Sequence, residues 1–134
     1  MAFVGDIVAR ARANSLFREV VSTGPHSQVV VMSIPPGGEI GEEVHETLDQ
    51  VLVIVDGEAD TVIEGVPTPI GAGDLIQVPA GTRHNVVNRG SRDLRLYTIY
   101  APPGHAPGTV HQTREEAEAD ETDQAPHDTA IAIG

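Results

Sequence analysis

The sequence predicts an all-β domain of the barrel or sandwich kind, and three observations carry that prediction. Apolar residues make up 40% of the chain while aromatic residues make up only 3%, so the core must come from Val, Ile, Leu and Ala. Valine dominates the middle of the chain, and β-branched side chains suit pleated surfaces better than helices. Short apolar runs of roughly five or six residues recur about every ten, each bounded by turn residues. A length of 134 residues suits one such domain.

The elements follow in order. Asp6 can cap a short helix to about Ala13, with Ile7, Val8 and Ala11 on one side. After Asn14-Ser15 the pattern becomes strand-like, with runs at 17–21, 28–34, 51–55, 59–63, 66–70, 75–78, 85–89 and 94–100. Thr23-Gly24-Pro25, residues 35–38, Asp56-Gly57, Glu64-Gly65 and residues 88–91 supply the turns, Asp56-Gly57 being a strong hairpin signal. Pro102-Pro103 ends the series. Thr113 and Glu116 form a capping-box pair, which predicts a second short helix to about Glu121. The chain thus divides into an N-terminal helical segment (1–14), a barrel (15–101) and a C-terminal extension (102–134). No internal repeat is visible.

Charge and composition exclude much chemistry. The net charge is −12, from 20 acids and 8 bases, every base an arginine. A surface this acidic repels phosphate backbones and anionic lipid, so neither nucleic acid nor membrane is an expected partner. Seven acids (Glu115, Glu116, Glu118, Asp120, Glu121, Asp123 and Asp128) against Arg114 alone put half of that charge in the final segment, part of which is expected to be disordered. Without lysine, Schiff-base chemistry is excluded. Without cysteine, so are disulfides, thiolate nucleophiles and iron–sulfur clusters. The N-terminal residues carry Asp6, Arg10 and Arg12 and do not read as a signal peptide, which makes the cytoplasm the expected compartment.

Two blocks carry the chemistry. The first reads Gly37, five residues, Glu43-Val44-His45, four residues, Gln50, six residues, Gly57. The second reads Gly73, five residues, Pro79-Ala80-Gly81, two residues, His84, three residues, Asn88. Together they resemble the two motifs of the cupin superfamily, G-x5-H-x-H-x(3,4)-E-x6-G and G-x5-P-x-G-x2-H-x3-N. The second block agrees at every defined position. In the first, Glu43 stands where a histidine is usual and Gln50 where a glutamate is usual. The resemblance spans about residues 15–101. It implies a single cupin β-barrel of the jelly-roll type with short N- and C-terminal helices, and a homodimer.

The spacing has its own physical reason. Residues two apart in a strand share a face, so Glu43 and His45 project together, whereas the rival Glu42 points away. Gln50 is placed on the next strand of the same hairpin, and His84 follows the Pro-x-Gly turn on another. Side chains from three strands then converge inside a barrel wide enough for one ion or small ligand. By the resemblance, Glu43, His45, Gln50 and His84 hold one divalent metal ion. Two imidazoles, one carboxylate and one amide keep the formal charge of the usual three imidazoles and one carboxylate. His45, His84 and Glu43 suit Fe(II), with Mn, Zn and Ni not distinguished. The bland reading is that the two histidines are ordinary hydrogen-bonded polar residues of the interior.

Other residues weigh less. His26 and His111 are expected near the pocket before His105 and His127, which read as loop and tail surface positions. Tyr97 and Tyr100 differ in parity, so only one points inward. Arg18 is expected to be solvated, with contact to an anionic substrate as its alternative. No catalytic residue is assigned. The expected function is a metal-dependent enzyme acting on a small oxygenated metabolite, by isomerase-like, lyase or dioxygenase chemistry. Its rival is a non-catalytic module that binds a small molecule or a metal.

Overall fold

The computed structural model describes residues 2–120 and the strand Ala130–Ala132. The elements are α1 (Ile7–Ala13), β1 (Arg18–Thr23), β2 (Gln28–Ile34), β3 (Glu43–His45), β4 (Asp49–Asp56), β5 (Glu58–Ile63), β6 (Val66–Gly71), β7 (Leu75–Val78), β8 (Arg83–Val87), β9 (Leu94–Ala101), β10 (Val110–His111), α2 (Arg114–Ala119) and β11 (Ala130–Ala132). They form a jelly roll of two antiparallel sheets, ordered β10-β1-β2-β9-β4-β7 and β11-β3-β8-β5-β6.

Period-two burial sorts the side chains. Along β9, Leu94, Leu96, Thr98 and Tyr100 are buried while Arg95, Tyr97 and Ile99 are not. Register extends this face across the sheet: Leu96 stands opposite Met32 and Ile54, and Tyr100 opposite Gln28 and Gln50. One end of the interior is thus aliphatic and the other polar. The apolar end, with Met32, Ile34, Leu52, Ile54, Leu94 and Leu96 at 0–1% exposure, is the rigid base on which the polar end is built. α1 covers the outer face of the larger sheet, where Ala11 packs with Val31 and Val55 beside Ile7, Val21 and Tyr97. Asp6 accepts from the Ala9 amide and starts that helix as expected.

Turn chemistry fixes the strand ends. Gly57 has φ +97°, and a Cβ there would lie 2.9 Å from the Asp93 carbonyl oxygen, so the β4–β5 turn takes glycine only. Gly81, at φ +84°, closes the Pro-Ala-Gly turn, and its amide donates to the His45 carbonyl at 2.7 Å. That bond ties the approach to His84 directly to β3. Asn88 pins the other end of β8: its side-chain amide donates to the carbonyls of Ile34 and Arg92, both at 2.9 Å. β6 is an exposed edge strand whose Pro67 and Pro69 cannot donate to a further strand.

Several sequence expectations are corrected. β3 and β4 do not form a hairpin, because they belong to opposite sheets. Residues 46–48, with Glu46 and Thr47 exposed, carry the chain from one sheet to the other, and β3 pairs instead with β8 and β11. β8 starts at Arg83, immediately after the turn, and ends before Asn88. β3 and β10 are too short to leave a periodic trace in the sequence. α2 runs over Arg114–Ala119 with Thr113 as its cap, and Glu121 lies outside the described residues, as does the rest of 121–129. Within the C-terminal extension, Ala130–Ala132 pair with β3.

Candidate metal centre

The first block places its donors from two opposed sheets. Glu43 and His45 project from β3, and Glu43 stands opposite His84 of the neighbouring β8. Gln50 reaches them from β4 on the other sheet. One ligand atom each from Glu43, His45 and His84 can be chosen so that all lie within 4.8 Å of one another. Glu43 Oε2 is 2.9 Å from His45 Nε2, and the two imidazole centroids are 5.3 Å apart. Glu42 turns outward to Arg83 at 3.7 Å, as strand parity requires.

Hydrogen bonds fix the orientation of two donors. His84 Nδ1 lies 2.9 Å from the Thr82 carbonyl oxygen, which can only accept, so Nδ1 carries a proton. In the neutral ring Nε2 therefore presents a lone pair. The Thr98 hydroxyl donates to the Val51 carbonyl at 2.8 Å and accepts from Gln50 Nε2 at 3.0 Å. Gln50 must then turn its oxygen inward, and Oε1 sits 3.1 Å from His84 Nε2. Two lone pairs face each other at that distance when His84 is neutral. Such a pair repels unless a cation or a proton lies beside it.

Electrostatics favour the cation. Burial holds the His84 imidazolium below the ordinary histidine value, His45 adds to that, and the Thr82 carbonyl and the Glu43 charge oppose it without prevailing. Burial pushes Glu43 up, yet its hydrogen bond to His45 and the charges of His45, Arg18 and His84 together bring it below the ordinary carboxylate value. The centre therefore offers two imidazole nitrogens, a carboxylate oxygen and an amide oxygen, with His84 neutral and Glu43 charged. That donor set fits a divalent transition-metal ion.

Around these four, Tyr100 sets its ring edge-on to His45 at 5.9 Å, and His105 lies edge-on to Tyr100 at 4.9 Å. Tyr100 is thus the inward tyrosine, while Tyr97 packs beneath α1. The segment carrying His105 is held by Gln28, whose Oε1 accepts from the Gly104 and His105 amides and whose Nε2 donates to the His105 carbonyl. His105 is half-buried rather than a free surface loop residue. His26 is exposed, and His127 lies outside the described residues. Arg18 is 6% exposed, which overturns its solvated reading, and His111 is buried against it. Their pairing across β1 and β10 left no sequence signal, because β10 is only two residues long. Thr98 was also missed, although a lone hydroxyl between Leu96 and Tyr100 on a buried face is a legible clue.

A two-sheet jelly roll that gathers histidine, carboxylate and amide donors between its sheets is a cupin-type architecture. Residues 30–100 match the cupin domain family, and the chain belongs to it. It is 41% identical over 125 residues to the uncharacterised protein YrkC of Bacillus subtilis, covering 89% of this chain and 67% of that one. The crystal structure of BH2720 from Bacillus halodurans superposes with a TM-score of 0.88 at 40% identity, covering 90% of this chain and 96% of the other. The oxalate-binding protein of Thermotoga maritima is 32% identical over 68 residues, covering 51% of this chain and 56% of that protein. Among the described residues, no helix is long and apolar enough to cross a membrane.

Proposed function

We propose that this cupin holds one divalent metal ion through Glu43, His45, Gln50 and His84, and that it is a metal-dependent enzyme acting on a small oxygenated metabolite. The observation that carries this reading is the pair of inward lone pairs on His84 Nε2 and Gln50 Oε1, 3.1 Å apart, beside a charged Glu43. When bound, the ion supplies Lewis acidity toward a carbonyl or hydroxyl oxygen, which serves isomerase, lyase and dioxygenase chemistry alike. The chain's own contributions are separate. Thr98 and Thr82 set the orientation of Gln50 and His84. Tyr100 sets its ring edge-on to His45, and the His105 segment, pinned by Gln28, lies against Tyr100.

Elemental analysis of protein purified without a nickel column tests the ion, and a stoichiometric divalent metal is the expected result. Glu43→Ala and His84→Ala should each weaken binding by at least tenfold while the fold persists by circular dichroism. Folded wild-type protein that takes up neither Fe(II), Mn, Zn nor Ni at micromolar concentration would overturn the reading. The name of the Thermotoga relative favours a second possibility, a module that binds a small acid without turnover. Turnover screening of the metal-loaded protein separates the two.

We further propose that two copies pair. The apolar Phe3 and Val4 before α1 and Val8 on it are exposed, Val4 at 94%, which supports contact with a second copy. Light scattering should give twice the monomer mass, and Val4→Asp should reduce it.

A further inference from the structure

We propose that Arg18 is a carboxylate-recognition residue, which makes the substrate of the metal centre a small organic acid; the assignment rests on the metal reading above only for what lies at the substrate's other end. Arg18 shares the inward face of β1 with Val20, and it stands opposite Met32 of β2, which is fully buried. A guanidinium in that position stays charged and needs partners for all five N–H groups.

The structure provides a mount for it, with no carboxylate in direct contact among the described residues. Arg18 Nη1 lies 3.3 Å from His111 Nδ1 on the adjacent β10. Arginine can only donate, so His111 accepts at Nδ1 and carries its proton at Nε2, which donates to Asp120 Oδ2 at 2.9 Å. On its other side Arg18 lies over the Phe17 ring, 5.1 Å from the centroid. No carboxylate within 4 Å pairs with it among the described residues, and its buried Nε has no hydrogen-bond partner there. A buried guanidinium with no carboxylate in contact and an unbonded Nε is costly, and a carboxylate ligand would supply the missing bonds.

Topology puts this group in the same interior as the metal centre, in the row of Met32, Leu96 and Ile54 and two inward positions along the strands from the row of Gln50 and Tyr100. β10 and β1 form one edge of the larger sheet, and β3 lies beside β11 at one edge of the smaller. α2 joins the two edges, since Arg114 Nε donates to the Ile40 carbonyl just before β3 while Asp120, just after the helix, holds His111. Arg18 and Val20 face inward from β1, and Val20 belongs to the same buried cluster as Tyr100, whose ring lies against His45 of the centre. A ligand lying between Arg18 and the centre would meet the metal at one end and the guanidinium at the other. His111 and Asp120 are positioning residues, acting through Arg18.

Calorimetric titration of metal-free, dialysed protein with oxalate, malonate, succinate and inorganic phosphate tests the assignment apart from the metal. At least one dicarboxylate should bind, and Arg18→Gln should weaken it tenfold or more without weakening metal binding, since it removes a positive charge and no metal ligand. Asp120→Asn, which keeps the arginine, should weaken the acid several-fold with the fold intact, so that a misfolded Arg18→Gln would not remove the test. Arg18→Lys should remain weaker than wild type, because an ammonium lacks the planar fork. Unchanged acid affinity in folded Arg18→Gln, or wild-type binding of phosphate and of no carboxylate, would overturn the assignment. Loss of metal binding in Glu43→Ala with acid binding retained bears on the metal reading and supports the separate role of Arg18.

Discussion

At the scale of single residues, orientation decides what the centre can do. A glutamine offers either its nitrogen or its oxygen to a ligand, and here the choice belongs to Thr98. Because the threonine hydroxyl is already committed to the Val51 carbonyl, it can only accept from the amide. Thr98→Val removes that restraint with little change of volume. Supporting hydrogen bonds around metal ligands contribute about 10–100-fold in affinity, so the variant should bind metal about tenfold more weakly by calorimetry, with its folding transition nearly unmoved. Equal affinity in both proteins would mean that Gln50 does not coordinate.

At the scale of elements, turns and their ties set where those residues stand. Gly57 and Gly65 both have positive φ, but only Gly57 is also crowded, with Asp93 oxygen 2.9 Å from a virtual Cβ against open space at Gly65. Left-handed backbone costs an alanine about 1 kcal/mol. Gly65→Ala should lose about that in urea unfolding, and Gly57→Ala clearly more, about 2–4 kcal/mol with the added clash. Gln28 does comparable work for the segment after β9. It is fully buried and bonded to Thr23, Gly104 and His105. Gln28→Ala leaves those groups without a partner, and stability should fall by roughly 2–3 kcal/mol. Hydrogen exchange should rise at the Gly104 and His105 amides before it rises elsewhere.

At the scale of the whole molecule, the centre couples stability to pH. The folded protein holds His84 below the ordinary value of 6.5, so below that pH the unfolded chain takes up a proton that the folded one refuses. Stability is therefore lost as pH falls from 6.5 toward the folded value. Glu43, held below 4.5, contributes stability above 4.5 that is lost as pH falls through its folded value. Both slopes have the same sign. Urea midpoints of metal-free protein should fall steadily on acidification from pH 7, and His84→Gln should flatten the part nearest 6.5. A midpoint that rises over that range would contradict the geometry of the centre.

The sequence by itself determined the fold class, most strand positions, both short helices and the residues that gather at the centre. Each of these is written in local pattern: period-two burial in β9, turn glycines such as Gly57 and Gly81, the cap at Asp6, and the spacing of Glu43, His45 and His84. Tertiary structure alone decided that Gln50 comes from the opposite sheet, that Thr98 turns its amide, and that Arg18 is buried against His111 and Asp120. Those relations join residues as many as 93 positions apart. A chain reports its own periodicity, but which edge meets which is set by the closing of one sheet over another.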